Sequence, residues 1–462
     1  MNQRGENNRP RHPARRRPRW ARGPSAARKS TMSVPAVFGV GVHAHNIRAA
    51  MRRPQVRSVA VTATLNVVTM LAGSMGGLIL ARTLGPTQRG DLVTILLWPA
   101  MIGGIVSLGI TQATCYWASK QPELAADYMS TGVVASLLTG LIVAGSGPWI
   151  AELIGRNGEV RRYLTLVLAL TPLYITGGVW ISALQATRIS MWNLARTMQP
   201  FLYLAGLLCL WMLGRLTIGT AVIVYAASLL IQIAFSIMVA RRVVGRGLRP
   251  KRFLLRPLYS YGAKVSLSTV PQVVNASVDQ LILSVMPGVS AAQLGNYAVA
   301  VSLSLLALPA AVAFGSVAFP RIARAPSEDH ARRIERLSLV GAVLLAGMTI
   351  GIISALAPLV VPRIFGKGYS DAIIPLWLLA PGTIFLAVNR VLGDLLQGRG
   401  RPLMRSSGEG IGMVFTLVLL IILIPRFGIR GAAIASSVTY GVVCLFLLWG
   451  LHRSRTTAIA PV

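Results

Sequence analysis

Three basic residues fall inside long apolar stretches of the sequence: Arg196, Lys264 and Arg390. A charge in the hydrocarbon core of a membrane usually faces a cavity or a partner. A guanidinium can also hold two phosphate oxygens at once. We therefore interpret these three residues as candidate ligands of an anionic group such as phosphate. For Arg196 and Lys264 the alternative is that each side chain extends to the nearby membrane surface.

Four further polar residues of the second half could bind a cation: Asp279, Asn275, Asp394 and Glu409. Asp279 has no opposite charge within reach on its own predicted helix, because Lys264 lies 15 residues or about 22 Å away. Its carboxyl group could therefore hold a proton or a sodium ion. The alternative for Asp279 and Glu409 is a structural hydrogen bond. Asp394 lies four residues after Arg390, which predicts an ion pair on one helix face. That pair would compete with phosphate for Arg390.

A polar stripe runs along the predicted helix that carries Asp279. Its members are Lys264, Ser268, Gln272, Asn275 and Asp279. Their spacings of three and four residues place them on one helical face. Pro271 is predicted to interrupt the helix and to free a backbone carbonyl, as in many transport helices.

The elements that must position these residues are predicted membrane spans. Of the 462 residues, 54% are hydrophobic and 13% are charged, whereas a soluble protein has about 25% charged residues. Twelve apolar stretches approach or exceed the roughly 20 residues that cross a bilayer. They are 59–82, 91–117, 127–148, 163–185, 192–214, 217–240, 258–286, 296–320, 337–361, 372–396, 404–424 and 430–451. The sequence predicts an all-α integral membrane protein of about twelve transmembrane helices.

The net charge of +33 is interpreted as membrane topology and not as nucleic-acid binding. Fourteen of the 46 Lys and Arg residues precede the first span. With the N-terminus inside, the inner segments carry roughly three times as many basic residues as the outer loops, as the positive-inside rule requires. Both termini are therefore predicted to be cytoplasmic. Residues 1–57 are predicted to be a disordered basic tail touching anionic lipids, unless they bind a partner or translation starts at Met32 or Met51.

Two related halves are predicted from an internal repeat. LILARTLGPTQRGDL from Leu78 aligns with LILSVMPGVSAAQLGNY from Leu281, and LQATR from Leu184 aligns with LQGRG from Leu396. Six spans per repeat give both halves the same orientation, related by an axis along the membrane normal. The predicted organisation places six-helix lobes at 58–240 and 258–452, joined by a basic cytoplasmic linker at 241–257. A short cytoplasmic tail follows at 453–462.

Four motifs resemble the polysaccharide-type flippases of the multidrug/oligosaccharidyl-lipid/polysaccharide exporter superfamily. They are ARTLGPTQRGDL after the first span, VDQLILS in the seventh, LLQGRGRP after the tenth and RFGIRGAAIA at the twelfth. The resemblance implies two six-helix bundles that rock around a central cavity. It implies a cargo of polyprenyl-diphosphate-linked oligosaccharide, carried from the inner to the outer leaflet of a bacterial plasma membrane for cell-surface polysaccharide assembly. The diphosphate headgroup of such a cargo would be bound by Arg390, Lys264 and Arg196. Polysaccharide-assembly proteins are possible partners.

Other functions remain as alternatives. A cation-coupled multidrug antiporter of the same fold would need an acidic pocket, and a lipid II flippase of this superfamily typically has two more C-terminal spans. A membrane glycosyltransferase would need acidic residues in its outer loops, which hold few. No GxxxxGK[ST] motif for ATP and no CxxC or His/Cys metal spacing occurs in the sequence. No cofactor, metal site or catalytic residue is predicted.

Overall fold

The structure is a computed structural model that describes residues 54–245, 249–309 and 325–456, together with Phe314, Gly315, Ala318, Arg321 and Ile322. The expectations for residues 1–57 and 453–462 fall largely outside the described residues. The last part of the predicted span 296–320 also falls mostly outside them. Every regular element among the described residues is helical, which confirms the all-α class.

Residues 54–243 form seven α-helices. They are α1 (Pro54–Val106), α2 (Ile110–Lys120), α3 (Ala125–Ile154), α4 (Gly158–Ala169), α5 (Thr171–Thr187), α6 (Ile189–Met212) and α7 (Ile218–Val243). Polar caps begin two of them. The Asn157 side chain accepts a hydrogen bond from the backbone of Val160, and Thr217 and Thr220 form a capping box.

Six more helices are described between residues 255 and 456. They are α8 (Leu255–Asn275), α9 (Val278–Val285), α10 (Ala291–Ser304), α11 (Glu328–Ile364), α12 (Ile373–Gly398) and α13 (Pro402–Thr456). Short 3₁₀ turns at Arg252–Leu254, Leu305–Ala307 and Lys367–Ala372 join some of them.

The two longest helices each contain a sharp glycine turn. In α1, Gly85 has φ 72° and ψ 175°, and the Arg89 Nη2 atom lies 3.7 Å from the position of a Cβ on Gly77. Twelve residues of straight helix would separate these positions by about 18 Å, so the chain turns back at Gly85. In α13, Gly428 has φ 54°. Both turns fall between two predicted spans.

Seven helices in the described part of the chain are long and apolar enough to cross a membrane, which confirms a multi-pass membrane protein. The predicted spans 192–214, 258–286 and 296–320 are not among the seven. Helices α6 and α8 occupy the first two of these ranges, and both carry polar residues that face cavities, as described below.

Three predicted spans are divided in the structure. The span 91–117 breaks at residues 107–109, where Leu108 and Gly109 both have positive φ. The span 163–185 breaks between α4 and α5, just before Pro172. The span 258–286 breaks at residues 276–277, between α8 and α9. The predicted interruption at Pro271 is therefore wrong, because α8 continues through this proline for four residues.

The buried core consists of separate apolar clusters. One cluster around Leu92, Leu207 and Val222 lies within the first half of the sequence, and another around Val391, Leu395 and Leu447 lies within the second half. The two halves contact each other where α2 and α3 pack against α8, and also where α1 meets α10.

The halves approach most closely at two glycine pairs. At the first crossing, a Cβ added to Gly90 would lie 3.1 Å from the Gly295 amide nitrogen and would clash with the Ala291 carbonyl. At the second crossing, a Cβ on Gly109 would lie 3.0 Å from the carbonyl carbon of Gly262. Only glycine allows two backbones to come this close. Gly90 and Gly295 are also partners in the internal repeat.

Polar contacts flank both crossings. Near the first, the Trp98 indole donates to Ser284 Oγ at 2.8 Å, and the Tyr369 hydroxyl donates to the Ala81 carbonyl at 3.0 Å. Near the second, the rings of Tyr116 and Tyr261 stack with centroids 4.1 Å apart. In this conformation the halves are in contact at both crossings.

The first crossing makes Gly90 sensitive to a single methyl group. We expect Gly90→Ala to lower the stability of the purified protein by about 1–3 kcal/mol, because the methyl must push two backbones apart. Gly145→Ala is the matched control, since Gly145 lies within α3 and nothing lies within 4 Å of its Cβ position. Thermal unfolding in detergent measures both. Equal midpoints for the two variants would contradict the close crossing.

Candidate functional site

The larger of two central cavities, cavity 1, lies between the crossings and has a volume of about 390 Å³. Gly104, Ser107 and Thr111 line it on one side, and Thr269 and Val273 of α8 line it on the other. The rest of the lining includes amides, hydroxyls and aromatic rings: Gln112, Tyr174, Gln199, Tyr225 and Gln232. Arg196 is the one charged side chain among the described lining residues.

Arg196 is held in place by its neighbours. Its Nε donates to the Asn193 side chain at 3.0 Å, and its guanidinium stacks 4.4 Å from the Trp192 ring centroid. Its Nη2 donates to the Thr62 carbonyl at 3.4 Å. Within the described residues no carboxylate lies within 4 Å of this guanidinium, so its positive charge remains available at the cavity wall.

A second cavity, cavity 2, lies within the second half and has a volume of about 230 Å³. Four charged side chains line it: Asp279, Arg390, Arg405 and Glu409. Gln272 and Asn275 of the predicted polar stripe line it as well, so the break at residues 276–277 does not separate them from Asp279. Four of the seven residues predicted to bind phosphate or a cation therefore line cavity 2. They are Arg390, Asp279, Asn275 and Glu409.

The carboxyl group of Asp279 is buried, and both of its oxygens accept hydrogen bonds. Its Oδ2 accepts hydrogen bonds from the Tyr297 hydroxyl at 2.6 Å and from the Ser436 hydroxyl at 3.3 Å, and its Oδ1 accepts from the Gln280 backbone at 2.8 Å. Among the described residues, no cation lies within 4 Å of it. The arrangement is compatible with both predicted roles, a structural hydrogen bond and the binding of a small cation.

Asn275 and Glu409 are joined across two helices. The Asn275 amide donates to the Glu409 carbonyl at 2.9 Å and to its Oε2 at 3.2 Å. The Asn275 Oδ1 atom is buried without a hydrogen-bond partner. An unpartnered amide oxygen beside a carboxylate is suited to hold a cation or a hydroxyl group.

The predicted pair of Arg390 with Asp394 is wrong. Asp394 instead pairs with Arg405 of α13, at 3.1 Å. Spacing along one helix predicted the neighbour four residues away, but a cation on the adjacent helix reaches the carboxylate first. Arg390 consequently has no ion pair or hydrogen bond among the described residues. This arrangement leaves its guanidinium available to an anion in cavity 2.

Lys264 is exposed and lines neither cavity. The three predicted phosphate ligands are thus in three different places in this conformation. Sequence reasoning also missed two cations. Arg405 lies at the start of the predicted span 404–424 and was not considered as a ligand, although it lines cavity 2. Arg89 lies between the predicted spans 59–82 and 91–117, although α1 includes it and its Nε is buried. Extension of the helical period of 3.6 residues past the predicted ends of the spans was the signal that could have placed these side chains on helices.

The comparison with known families assigns the chain. A family profile described as "Polysaccharide biosynthesis protein" matches residues 55–326, more than half of the sequence. The chain belongs to this polysaccharide biosynthesis family. It is 22% identical over 388 residues to a "Putative O-antigen transporter" of Shigella flexneri, covering 80% of this chain and 91% of the relative. It is 25% identical over 190 residues to the "Probable low-salt glycan biosynthesis flippase Agl15" of Haloferax volcanii, covering 40% of each chain.

The fold of this family member is that of a known group of transporters. A solved inward-facing multidrug resistance MATE family transporter of the MOP superfamily superimposes with a TM-score of 0.70. The alignment covers 86% of this chain and all of that one at 17% identity. Similarity at this level establishes the fold and leaves the cargo to be argued from the cavities.

The Asp279 cluster predicts a stability effect. Tyr297→Phe removes a donor to a buried carboxylate, and we expect it to destabilise the protein by about 1.5–3 kcal/mol. Tyr259→Phe is the control, because the Tyr259 hydroxyl makes no hydrogen bond among the described residues. Thermal unfolding midpoints compare the two variants. If both substitutions behave alike, the 2.6 Å bond contributes nothing to the fold.

Proposed function

We propose that the protein is a flippase that moves a polyprenyl-diphosphate-linked oligosaccharide from the inner to the outer leaflet. The observation that carries this proposal is the lining of cavity 1, where Arg196 is surrounded by neutral polar and aromatic side chains. Amides and hydroxyls can hydrogen-bond sugar hydroxyls, and the aromatic rings offer faces for packing. A guanidinium suits the diphosphate. The names of the Shigella and Haloferax relatives support the same cargo class.

The proposed cycle is alternating access between two six-helix lobes. The lobes are residues 58–240 and 258–452, with about twelve spans in total, related by the internal repeat. In this scheme the first crossing opens on one side of the membrane while the second remains closed. The first then closes, and the second opens on the other side. Cavity 1, at about 390 Å³, is within the usual range for a ligand site, but a longer glycan requires one crossing to open.

Arg390 is proposed as a second diphosphate ligand, because it lines cavity 2 and makes no ion pair or hydrogen bond among the described residues. Lys264 would contribute only in a conformation that brings α8 toward the cargo. Asp279, Asn275, Asp394 and Glu409 are proposed to couple transport to H⁺ or Na⁺. The protein would act in the plasma membrane with both termini in the cytoplasm and without catalysis, alongside polysaccharide-assembly proteins.

The two carboxylates of cavity 2 favour a second candidate, a cation-coupled multidrug antiporter. Asp279 and Glu409 would then attract an organic cation. Against this, Arg390 and Arg405 line the same cavity and oppose a cationic cargo. A lipid II flippase differs from the main proposal only in the glycan.

Reconstitution into proteoliposomes tests the proposed function. A labelled polyprenyl-diphosphate oligosaccharide is placed in the membrane, and its appearance on the opposite leaflet is measured by enzymatic modification of the sugar. Protein-dependent translocation is expected. Absence of movement with several glycans, accompanied by ion-driven efflux of organic cations, would favour the antiporter.

Arg390→Ala is expected to reduce the translocation rate roughly tenfold or more, since a charge-assisted bond to phosphate is lost. Arg363→Ala is the control, because Arg363 is exposed at the end of α11 and lines neither cavity. Both variants are compared at equal amounts of reconstituted protein. Equal rates would remove Arg390 from the transport path.

Asp279→Asn is expected to abolish the response of transport to an imposed H⁺ or Na⁺ gradient, because the amide cannot carry the negative charge that binds a cation. The isosteric substitution at exposed Asp371 serves as control. The measurement is the ratio of rates with and without the gradient. An unchanged ratio in Asp279→Asn would assign the carboxyl group to structure alone.

A further inference from the structure

Arg89 is a half-buried cation that the proposed transport path does not use. It lies four residues after the turn at Gly85, and its Nε atom is buried without a hydrogen-bond partner. Among the described residues it has no ion pair and no hydrogen bond. The titratable groups that interact electrostatically with Arg89 are two phenols, Tyr203 and Tyr369. Both are neutral at physiological pH, so neither compensates its charge.

A third cavity, cavity 3, adjoins Arg89. It has a volume of about 240 Å³ and lies between α1 and α10, so both halves of the chain form its wall. Its lining is mainly apolar and includes Met70, Leu78, Val299, Leu303 and Phe365. Arg89 is the one charged side chain among the described lining residues.

The other polar groups of cavity 3 are already committed. The Ser74 hydroxyl donates to the Met70 carbonyl at 3.0 Å, and the Ser302 hydroxyl donates to the Ala298 carbonyl at 2.7 Å. By contrast, the Arg89 guanidinium keeps a donor without a partner in this mainly apolar lining.

A guanidinium without a counter-ion is unfavourable in a mainly apolar cavity, because no interaction offsets the free energy of desolvating its charge. An anion that enters cavity 3 would offset this desolvation cost by accepting charge-assisted hydrogen bonds from Arg89. The cavity is thus selective for negative charge, in contrast to cavity 2, where Asp279 and Glu409 face Arg390 and Arg405.

The surroundings of cavity 3 indicate what carries the anion. Leu305, which is 40% exposed, lines both cavity 3 and cavity 2, so an apolar side chain separates the two cavities. The exposed side chains nearby on α1 are also apolar, namely Leu71 and Met75. An occupant with an anionic head and a long apolar chain matches both parts of this site, whereas a free ion matches only one.

We propose that cavity 3 is a binding site for a lipid phosphate, with the Arg89 guanidinium as the ligand of the phosphate group. The apolar chain lies against Leu305 and the exposed face of α1. The positive-inside count predicts this end of α1 to be the outer one, so the site is the outer counterpart of Arg390 and Arg196. The inference deepens the proposed function and rests on it for the nature of the lipid.

The test is the number of lipid phosphates bound by the purified full-length protein, counted by native mass spectrometry. The probe is a polyprenyl monophosphate, with the uncharged polyprenol and inorganic phosphate as comparison ligands. We expect Arg89→Gln to bind one lipid phosphate fewer at saturation than the wild type. Arg215→Gln is the matched control, because Arg215 is exposed and lines none of the three cavities. It should bind as the wild type does.

A second variant separates loss of the site from loss of the fold. Gly77→Leu keeps Arg89 but fills cavity 3, since a Cβ at Gly77 already lies 3.7 Å from Arg89 Nη2. It should also bind one lipid phosphate fewer. Removal of the unpaired charge in Arg89→Gln should leave the thermal midpoint of the ligand-free protein equal to or above that of the wild type.

Three results would overturn the proposal. They are an unchanged stoichiometry in both variants, equal binding of the uncharged polyprenol, and complete displacement of the Arg89-dependent lipid by inorganic phosphate, which would assign a free-anion site. The outcome is distinct from that of the translocation assay. Arg89-dependent binding without translocation would support the lipid-phosphate site and contradict the proposed flippase function. Translocation with unchanged binding in both variants would support the flippase function and contradict the site.

Discussion

The structure depends on two places where glycine backbones touch across the halves of the chain. At Gly90–Gly295 and at Gly109–Gly262 a single methyl group would force the chains apart, and cavity 1 lies between these contacts. The glycine contacts involve backbone atoms, whereas the hydrogen bonds beside them, such as those that Trp98 and Arg156 donate to Ser284, must exchange for bonds to water when a crossing opens. Two small, separable contacts around one cavity are what a protein needs in order to expose that cavity to either side of a membrane.

The distribution of charge distinguishes structural ion pairs from candidate ligand sites. Arg399 pairs with Glu328 at 2.8 Å and with Glu335, and Arg405 pairs with Asp394. These cations are neutralised within the protein. Arg89 and Arg390 have no such partner among the described residues, and each adjoins a cavity. Unpaired guanidinium groups beside a cavity favour a negatively charged cargo, and the family to which the chain belongs acts in polysaccharide biosynthesis.

Periodicity along one helix predicted part of the site and could not predict the rest. The stripe spacing correctly indicated that Gln272, Asn275 and Asp279 share a face, because they line one cavity. The same reasoning chose the wrong partner for Asp394, since the cation that reaches it comes from the next helix. Arg89 was missed because hydropathy ends a span at the first charged residues, whereas α1 turns at Gly85 and carries Arg89 back into the protein. The break after Asn275 also required tertiary structure, because Pro271 was the stronger local signal.

Spin-label distances across the two crossings test the central claim, alternating exposure of cavity 1, most directly. After replacement of Cys115, Cys209 and Cys444, one variant carries labels at Gln88 and Ser290 and a second at Ser119 and Ser260, all exposed positions. With polyprenyl-diphosphate oligosaccharide in the membrane, the account predicts that one distance lengthens while the other stays short, and that the two exchange during turnover. Distances that remain short at both crossings while cargo moves, or that lengthen at both together, would contradict it.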